Sequence, residues 1–252
     1  MTGFTDDDFL NGLVKLRQPK KGYRAGSDAL LLAASLPAIN GKMLEVGAGV
    51  ATPSICYLAR LAGDFKPHIT AIEKYDNVAE LAQYNVQQNN FDAQIDILNV
   101  DIFDKAATHE KHGLMADSFD HIFSNPPFFD PAKGKTSRDD YKALAHSIKQ
   151  DDLQLWLIFM VRLLKNKAFM SIIYPMEHLY TVLKILENRV GDLRIRPIFS
   201  KYNAPATRFL LQAKKGSRAP LKMLPDLVLR HDDGTVTDFA ERVFRHGDGI
   251  EM

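Results

Sequence analysis

The sequence predicts an α/β protein with a doubly wound, mostly parallel sheet of seven strands. From Lys42 onward, short apolar and β-branched runs alternate with longer stretches of helical periodicity, which is typical of parallel strands connected by helices. The clearest unit, residues 42–62, has the pattern of a buried strand, a tight glycine turn and a helix. With 46% hydrophobic and 25% charged residues, the composition excludes a disordered or collagen-like chain.

The elements follow in order along the chain. Strands are expected at residues 42–46, 68–73, 95–98, 119–124, 168–174, 193–199 and 207–213. Helices are expected at residues 52–62, 76–89, 153–164 and 177–188. The first of these helices begins at Thr52 and Pro53, because threonine is a good N-cap and proline suits the first helical position.

Residues 1–40 and 216–252 lie outside this alternation. The first segment contains a helix that begins near Ser27, and the second contains a terminal helix at 237–245. Neither segment is long enough to bury a core of its own. We therefore expect an N-terminal extension, residues 1–40, packed on one domain formed by residues 41–252.

Charge, cysteine and histidine content exclude several kinds of site. The 32 Lys and Arg residues against 31 Asp and Glu leave a formal charge of +1, so a polyanionic partner must be argued from local charge. Cys56 stands alone, and His109 and His112 are interpreted as exposed helix residues, which together predict no metal site. The acidic start and the lack of a run of about 18 apolar residues favour a cytoplasmic protein that does not enter a membrane.

The turn Gly47-Ala48-Gly49 is predicted to bind a cofactor, because a glycine turn before a helix exposes backbone N–H groups to a polar ligand. A dinucleotide site would need a third glycine at the position of Thr52. Glu45, on the preceding strand, would repel a pyrophosphate but could attract the ammonium group of S-adenosylmethionine. These features favour S-adenosylmethionine over NAD.

Two further acids end neighbouring strands. Glu73 ends the second strand, and its carboxylate could accept hydrogen bonds from both ribose hydroxyls of the cofactor. Asp101 follows the third strand and could accept a hydrogen bond from the amine of the cofactor's adenine. Each of the three acids, Glu45, Glu73 and Asp101, could alone be a solvated loop residue. All three lie at the edge where open α/β sheets bind ligands, which favours a role in the site.

The segment Asn125-Pro126-Pro127-Phe128 ends the fourth strand and is predicted to bind the group that reacts. Two consecutive prolines remove two N–H donors and leave carbonyl oxygens. The side-chain oxygen of Asn125 and the carbonyl of Pro126 could hold both N–H bonds of a planar amine and free its lone pair. Phe128 offers a face for stacking, worth about 1 to 3 kcal/mol for a nucleobase. An ordinary Asn-Pro turn is the alternative.

Several features together resemble the class I S-adenosylmethionine-dependent methyltransferases that methylate amines: Leu44-Glu45-Val46 before Gly47-Ala48-Gly49, then Glu73, Asp101 and the Asn-Pro-Pro-Phe tip. The resemblance covers about residues 41–175. It implies a Rossmann-like methyltransferase fold, S-adenosylmethionine as the cofactor with S-adenosylhomocysteine as its product, and no metal.

The flanking segments narrow the resemblance. An Asn-Pro-Pro-aromatic tetrapeptide is similar to that of adenine-N6 methyltransferases and of the glutamine-N5 methyltransferases that modify peptide release factors. Gln18-Pro19 and the segment Gly22–Leu32 resemble the bacterial transfer-RNA enzymes that methylate adenine N6 just 3′ of a valine anticodon. Release-factor enzymes typically carry a helical bundle in front, for which residues 1–40 leave no room. Phe128 stands where Tyr is common in the transfer-RNA family.

The candidate site residues follow from these positions. The candidate catalytic residues are Asn125, Pro126, Pro127 and Phe128. The candidate cofactor-binding residues are Arg24, Asp28, Glu45, Val46, Gly47, Ala48, Gly49, Glu73, Lys74, Asp101, Ile102 and Asn125. A mobile lid is expected from the basic residues that follow the tip: Lys133, Lys135, Arg138 and Lys142.

Local charge favours a nucleic-acid substrate, namely transfer RNA. Residues 189–222 contain nine Lys or Arg against one acid, and residues 15–24 contain five without an acid, whereas residues 47–120 are acidic. Solvated surface charge is the alternative. Other functions stay open: glutamine N5 methylation of a protein, N- or O-methylation of a small molecule, or a catalytically silent nucleic-acid-binding module. The sequence does not specify an oligomeric state.

Overall fold

The computed structural model describes residues 3–21, 24–128 and 150–252. Its strands are β1 Phe4–Phe9, β2 Val14–Pro19, β3 Gly41–Val46, β4 Pro67–Glu73, β5 Ile95–Asn99, β6 Phe119–Ser124, β7 Leu164–Pro175, β8 Val190–Phe199, β9 Ala206–Lys215, β10 Lys222–Met223 and β11 Leu227–Val228. Its α-helices are α1 Ser27–Ser35, α2 Thr52–Arg60, α3 Asp76–Gln88, α4 Ala106–Lys111, α5 Gln150–Leu163, α6 Leu179–Leu186 and α7 Asp238–Glu241. The predicted α/β fold is confirmed, and each of the seven predicted strands is present.

Within the described residues the main sheet has nine strands, eight of them in the order β10-β8-β9-β7-β6-β3-β4-β5, with β11 beside β8. Strand β9 runs antiparallel to β7 and β8, and the other pairs are parallel. The register places Val46 opposite Ser124 and Glu73 opposite Asn99. The carboxyl ends of β3 to β6 therefore meet at one edge, which is where the sequence places the candidate site.

Both faces of the sheet are covered, as expected for a doubly wound fold. One cluster of buried residues joins α1 and α2 to the sheet and includes Leu31, Met43 and Ile55. The other joins α5 and α6 to the opposite face and includes Leu44 and Leu157. Met43 and Leu44 point to opposite clusters because successive side chains of a strand alternate between its faces.

The strand β1 was not predicted, because its three consecutive aspartates disfavour a strand. It forms by antiparallel pairing with β2, and two of its acids bind cations. Asp6 pairs with Arg17 at 2.8 Å, and Asp7 pairs with Arg24 at 2.6 Å. The hairpin is therefore stabilised in part by ion pairs with arginines that follow β1 in the chain, and the sequence of β1 alone does not indicate these pairs.

Two asparagines of α3 bind the edge of β2. The Asn85 amide accepts a hydrogen bond from Arg17 N at 2.7 Å and donates to Arg17 O at 3.0 Å. Asn89 repeats the arrangement on the backbone of Lys15, at 3.0 and 2.7 Å. These amides replace a neighbouring strand and satisfy backbone groups that an open edge would expose.

The division of the chain into an N-terminal extension, residues 1–40, and a main domain, residues 41–252, stays a proposal.

Several local predictions differ from the structure. The predicted N-cap Thr52 is instead the first residue of α2, and Ala51 occupies the N-cap position. The helix expected over 177–188 is a single 3-10 turn followed by α6, which ends at Leu186. The terminal helix expected over 237–245 is the four-residue α7, continued by a wider π-type turn. His109 is buried, not exposed, because its ring meets Phe159 edge to face and its Nε2 lies 3.0 Å from the Asp101 carbonyl oxygen.

The residues 3–21, 24–128 and 150–252 show neither a membrane-spanning helix nor a metal-binding cluster. None of the helices in these ranges has the length and apolar character needed to cross a membrane. The same residues contain no cluster of three or more His, Cys, Asp or Glu side chains suited to a metal ion.

Candidate active site

The glycine turn after β3 is shaped by close packing. Gly47 has φ +69°, and a Cβ atom there would lie 2.6 Å from Trp156 Cζ2, so a side chain does not fit. Gly49 also has a positive φ, of +56°. Trp156, on α5, is buried, with an exposed fraction of only 7%. Its ring forms the floor of the turn.

A hydrogen-bonded relay joins this turn to the tip of β6. The indole Nε1 of Trp156 donates to Ser124 Oγ at 3.0 Å. The same hydroxyl donates to the carbonyl oxygen of Val46 at 2.7 Å. Val46 precedes Gly47 and Ser124 precedes Asn125, so the candidate cofactor turn and the candidate catalytic tip are fastened to each other.

Glu73 is bound to the backbone on both sides. Its Oε2 accepts a hydrogen bond from Gly49 N, and its Oε1 accepts one from Tyr75 N, each at 3.0 Å. The residue is 8% exposed, and burial raises the pKa of its carboxyl group. Each carboxylate oxygen has a second lone pair, so both ribose hydroxyls of the cofactor could still donate to it.

Glu45 lies deeper than the sequence suggests. It is 2% exposed, and its Oε2 accepts hydrogen bonds from the hydroxyl and from the backbone N–H of Ser54, the latter at 3.3 Å. Burial raises the pKa of Glu45 to about 8, and the nearby charge of Glu73 adds to this. Glu45 is therefore mostly protonated at neutral pH in this state, and its attraction for an ammonium group stays a prediction.

The loop after β5 brings an acid and an aromatic ring to the same edge. Asp101 pairs with Lys74 at 3.4 Å and accepts a hydrogen bond from Phe103 N at 3.0 Å. The Lys74 ammonium group lies 5.9 Å from the centre of the Phe103 ring. Phe103 is 42% exposed and was not named as a candidate. The sequence did contain a signal that could have identified Phe103, because it is a large apolar residue two positions after Asp101 and next to the candidate Ile102.

The tip residues are held by a neighbouring strand. The hydroxyl group of Tyr174, on β7, donates a hydrogen bond to the Pro127 carbonyl oxygen at 3.3 Å. Its ring meets the half-buried Phe128 ring edge to face, with centroids 5.7 Å apart. The guanidinium of Arg208 lies 4.7 Å from the centre of the Phe128 ring. The predicted lid, residues 133–142, lies outside the described residues.

Two candidate cofactor residues bind other parts of the chain. Arg24 donates to Asp7 at 2.6 Å and to Thr5 Oγ1 at 2.7 Å, so its guanidinium lies against the N-terminal hairpin. Asp28 accepts a hydrogen bond from Arg208 Nε at 3.0 Å. Because Arg208 contacts Phe128, this bond connects Asp28 to the tip and not to the glycine turn. Their roles in cofactor binding stay predictions that these contacts do not support.

The basic segment 189–222 does not form one free surface. Strand β9 crosses the sheet from one edge to the other. Arg208 therefore lies at the sheet edge that carries the Asn-Pro-Pro-Phe tip, and Lys214 and Lys215 lie toward the opposite edge. Several of its cations form ion pairs within the chain: Arg194 and Lys222 with Asp192, Arg208 with Asp28, and Lys215 with Asp117. Several of the cations that made this segment basic in the sequence are therefore paired within the chain, and nucleic-acid binding by the segment stays a prediction.

The residues at this edge fit S-adenosylmethionine. Glu73 has carboxylate oxygens of the kind that ribose hydroxyls can donate to, and the glycine turn leaves its backbone open to a close approach. Thr52 Oγ1, at the start of α2, is buried and has no hydrogen-bond partner in the described part of the chain. A polar ligand can satisfy such a group, whereas an unsatisfied buried hydroxyl is costly.

Comparison with known proteins agrees with this geometry. Residues 21–163, more than half of the chain, match the methyltransferase small domain family. A protein of Shewanella sp. (strain MR-4) named tRNA1(Val) (adenine(37)-N6)-methyltransferase is 26% identical over 220 residues, covering 86% of this chain and 88% of its own. A Shewanella halifaxensis protein of the same name is 29% identical over 212 residues, covering 84% and 76%.

Solved structures share the fold. A predicted O-methyltransferase from Agrobacterium tumefaciens superposes with a TM-score of 0.73 at 23% identity, covering 89% of this chain and 99% of its own. P. horikoshii TYW2 in complex with MeSAdo superposes with a TM-score of 0.51 at 14% identity, covering 85% and 72%. The chain belongs to the methyltransferase small domain family, and it is an S-adenosylmethionine-dependent methyltransferase.

Proposed function

We propose that this methyltransferase transfers a methyl group to an exocyclic amine, adenine N6 in transfer RNA. The observation that carries the proposal is the Asn125-Pro126-Pro127-Phe128 tip, fastened to the cofactor turn through Ser124 and Val46. The names of the curated relatives support transfer RNA as the substrate.

The cofactor residues hold and orient the methyl donor. S-adenosylmethionine supplies an electrophilic methyl group when it is bound. Glu73 would accept hydrogen bonds from the ribose hydroxyls, and Asp101 would accept one from the adenine amine. The backbone of the turn Gly47–Gly49 would lie against the polar end of the cofactor. Together these residues would hold the cofactor beside the tip.

The tip residues prepare the acceptor. A planar amine conjugated with a purine is a weak nucleophile, because its lone pair is delocalised into the ring. Two acceptors, the Asn125 side-chain oxygen and the Pro126 carbonyl, would hold its two N–H bonds and draw the nitrogen toward tetrahedral geometry. The nitrogen becomes acidic as it gains a bond, so it can release its proton without a strong general base. Most of the rate then comes from positioning.

Phe128 would support the acceptor base by stacking. The ring is half-buried and packs against Tyr174 in a T-shaped arrangement, so its orientation is restricted before the substrate arrives. Stacking of a base on such a ring contributes about 1 to 3 kcal/mol. A glutamine side-chain amide is also planar with two N–H bonds, which makes protein N5-methylation the second candidate on this geometry. A hydroxyl would use only one of the two acceptors.

A direct competition between acceptors tests the proposal. The protein is incubated with S-adenosylmethionine and an equimolar mixture of unmodified transfer RNA and a peptide release factor. Mass spectrometry then measures N6-methyladenosine in the RNA digest and N5-methylglutamine in the protein digest. We expect the methyl group in the RNA. Methylation of the release factor alone would overturn the proposed substrate and favour the amide reaction.

A further inference from the structure

Arg208 connects the N-terminal helix α1 to the catalytic tip. Its Nε donates to Asp28 Oδ2 at 3.0 Å, and its guanidinium carbon lies 4.7 Å from the centre of the Phe128 ring. A further guanidinium nitrogen donates to the Thr207 carbonyl oxygen at 3.0 Å. Asp28 and Arg208 are 180 positions apart in the chain, so the contact is purely tertiary.

We propose that Arg208, held by Asp28, is a positioning residue that fixes the orientation of Phe128 for the methyl acceptor. The guanidinium contacts the ring, and the Tyr174 ring packs against it in a T-shaped arrangement, so two side chains restrict its orientation. Asp28 acts through Arg208, because the ion pair fixes the guanidinium that contacts the ring. The inference rests on the proposed function, in which the acceptor stacks on Phe128.

The role requires arginine chemistry. A planar guanidinium can lie against an aromatic ring and at the same time donate a directed hydrogen bond to a carboxylate. A lysine ammonium at the same place keeps the charge, but it is a compact point charge and cannot hold both contacts in the same geometry. Arg208→Lys therefore removes the positioning function and retains the positive charge.

The chain contains a matched control in Arg194. Its guanidinium also pairs with a carboxylate, Asp192 at 2.8 Å, and also contacts a ring, Phe169 at 4.9 Å. Phe169 lies six residues along β7 from Pro175, the partner of Arg208, which is about 20 Å at roughly 3.3 Å per residue. Arg194→Lys thus disturbs the same kind of contact far from the tip.

A kinetic comparison tests the role. We expect Arg208→Lys and Asp28→Asn each to lower kcat for RNA methylation at least fivefold, with the KM for RNA and the affinity for S-adenosylmethionine changed less than twofold. Arg194→Lys should retain the wild-type kcat. In a Phe128→Ala background, Arg208→Lys should cause no further loss, because the ring that it positions is absent. Additive losses would overturn the proposal.

A second outcome distinguishes a phosphate contact. If Arg208 binds the RNA backbone, its replacement by methionine raises the KM for RNA, leaves kcat unchanged and reduces the salt dependence of binding. That result would also overturn the positioning role.

A measurement without substrate separates this inference from the proposed function. The phenylalanines are labelled with fluorine on the ring, and the Phe128 signal is assigned by its loss in Phe128→Leu. We expect the Phe128 signal to shift in Arg208→Lys and in Asp28→Asn but not in Arg194→Lys. An unchanged signal contradicts the positioning role, whichever acceptor is methylated. If the signal shifts and the wild type methylates no RNA, only the proposed function fails.

Discussion

Ser124 Oγ donates a 2.7 Å hydrogen bond to the carbonyl oxygen of Val46, which fastens the end of β6 to the end of β3. Trp156 donates to the same hydroxyl at 3.0 Å, and its ring lies directly under Gly47. The turn that would hold the cofactor and the tip that would hold the amine therefore share one buried support. A change in Trp156 should be transmitted to both.

The first prediction concerns that support. Trp156→Phe removes the indole donor and part of the packing, and we expect it to lower the free energy of unfolding by about 1 to 3 kcal/mol. Urea unfolding at constant m-value measures the change. Tyr180→Phe, at an exposed position, is the control and should be neutral. A loss below about 0.5 kcal/mol, the usual range for exposed substitutions, would show that the relay is dispensable for stability.

The second prediction concerns the glycine turn. Gly47→Ala forces a Cβ atom against Trp156, whereas Gly113→Ala has a similar positive φ, of +76°, with nothing within 4 Å. Gly113→Ala should cost about 1 to 2 kcal/mol from the left-handed conformation alone. Gly47→Ala should cost about 1 to 3 kcal/mol more from overpacking. Calorimetric unfolding measures the stability of both variants. Equal losses of stability would contradict a steric clash between a Cβ atom at Gly47 and Trp156.

That clash can be relieved. Phenylalanine lacks the outer ring atoms of Trp156 that a Cβ at Gly47 would meet. The double variant Gly47→Ala/Trp156→Phe should therefore be more stable than the sum of the single losses predicts. Strict additivity would mean that the two residues do not contact each other in the way that the structure shows.

The regular part of the fold was predictable because its signals are local. The strand from Lys42 to Val46, the glycine turn and the Asn-Pro-Pro-Phe tip are each encoded by periodicity or by residues with restricted backbone geometry. Because the strands are parallel, their carboxyl ends lie at the same edge of the sheet, so the position of the site follows from the predicted strands.

The rest depends on tertiary contacts that a sequence pattern does not contain. The strand β1 is polar and forms by pairing with β2, and Arg17 and Arg24 bind two of its acids. His109 has the surroundings of an exposed helix residue in the sequence, but Phe159 covers it in the fold. The pairing of Arg208 with Asp28 joins residues 180 positions apart, and no local signal indicates it.

The third prediction concerns cofactor affinity. Glu73→Ala should weaken S-adenosylmethionine binding by about 2 kcal/mol, or roughly thirtyfold, as expected when hydrogen bonds to a charged group are lost. Isothermal titration calorimetry measures the change. Glu80→Gln, on an exposed position of α3, controls for the loss of a negative charge near the site. Wild-type affinity in Glu73→Ala would remove Glu73 from the cofactor site.

The fourth prediction concerns pH. Burial raises the pKa of Glu45 from its usual 4.5 to about 8, so the folded protein holds a proton that the unfolded chain releases. This contribution to stability is fully present below pH about 4.5 and is lost as the pH rises through 8. Relative to Glu45→Gln, which cannot titrate, wild type should lose on the order of 4 kcal/mol between pH 5 and 9. Parallel stability curves for the two proteins would contradict the raised pKa.

The central claim is that Asn125 binds the amine that is methylated. The most direct test measures N6-methyladenosine formed in transfer RNA by wild type and by Asn125→Ala, together with the S-adenosylmethionine affinity of both. The account predicts that turnover falls at least about a hundredfold, since kcat reports interactions made with the reacting group, while cofactor affinity stays within a few fold. Wild-type turnover in Asn125→Ala, or loss of cofactor binding equal to the loss of turnover, would contradict it.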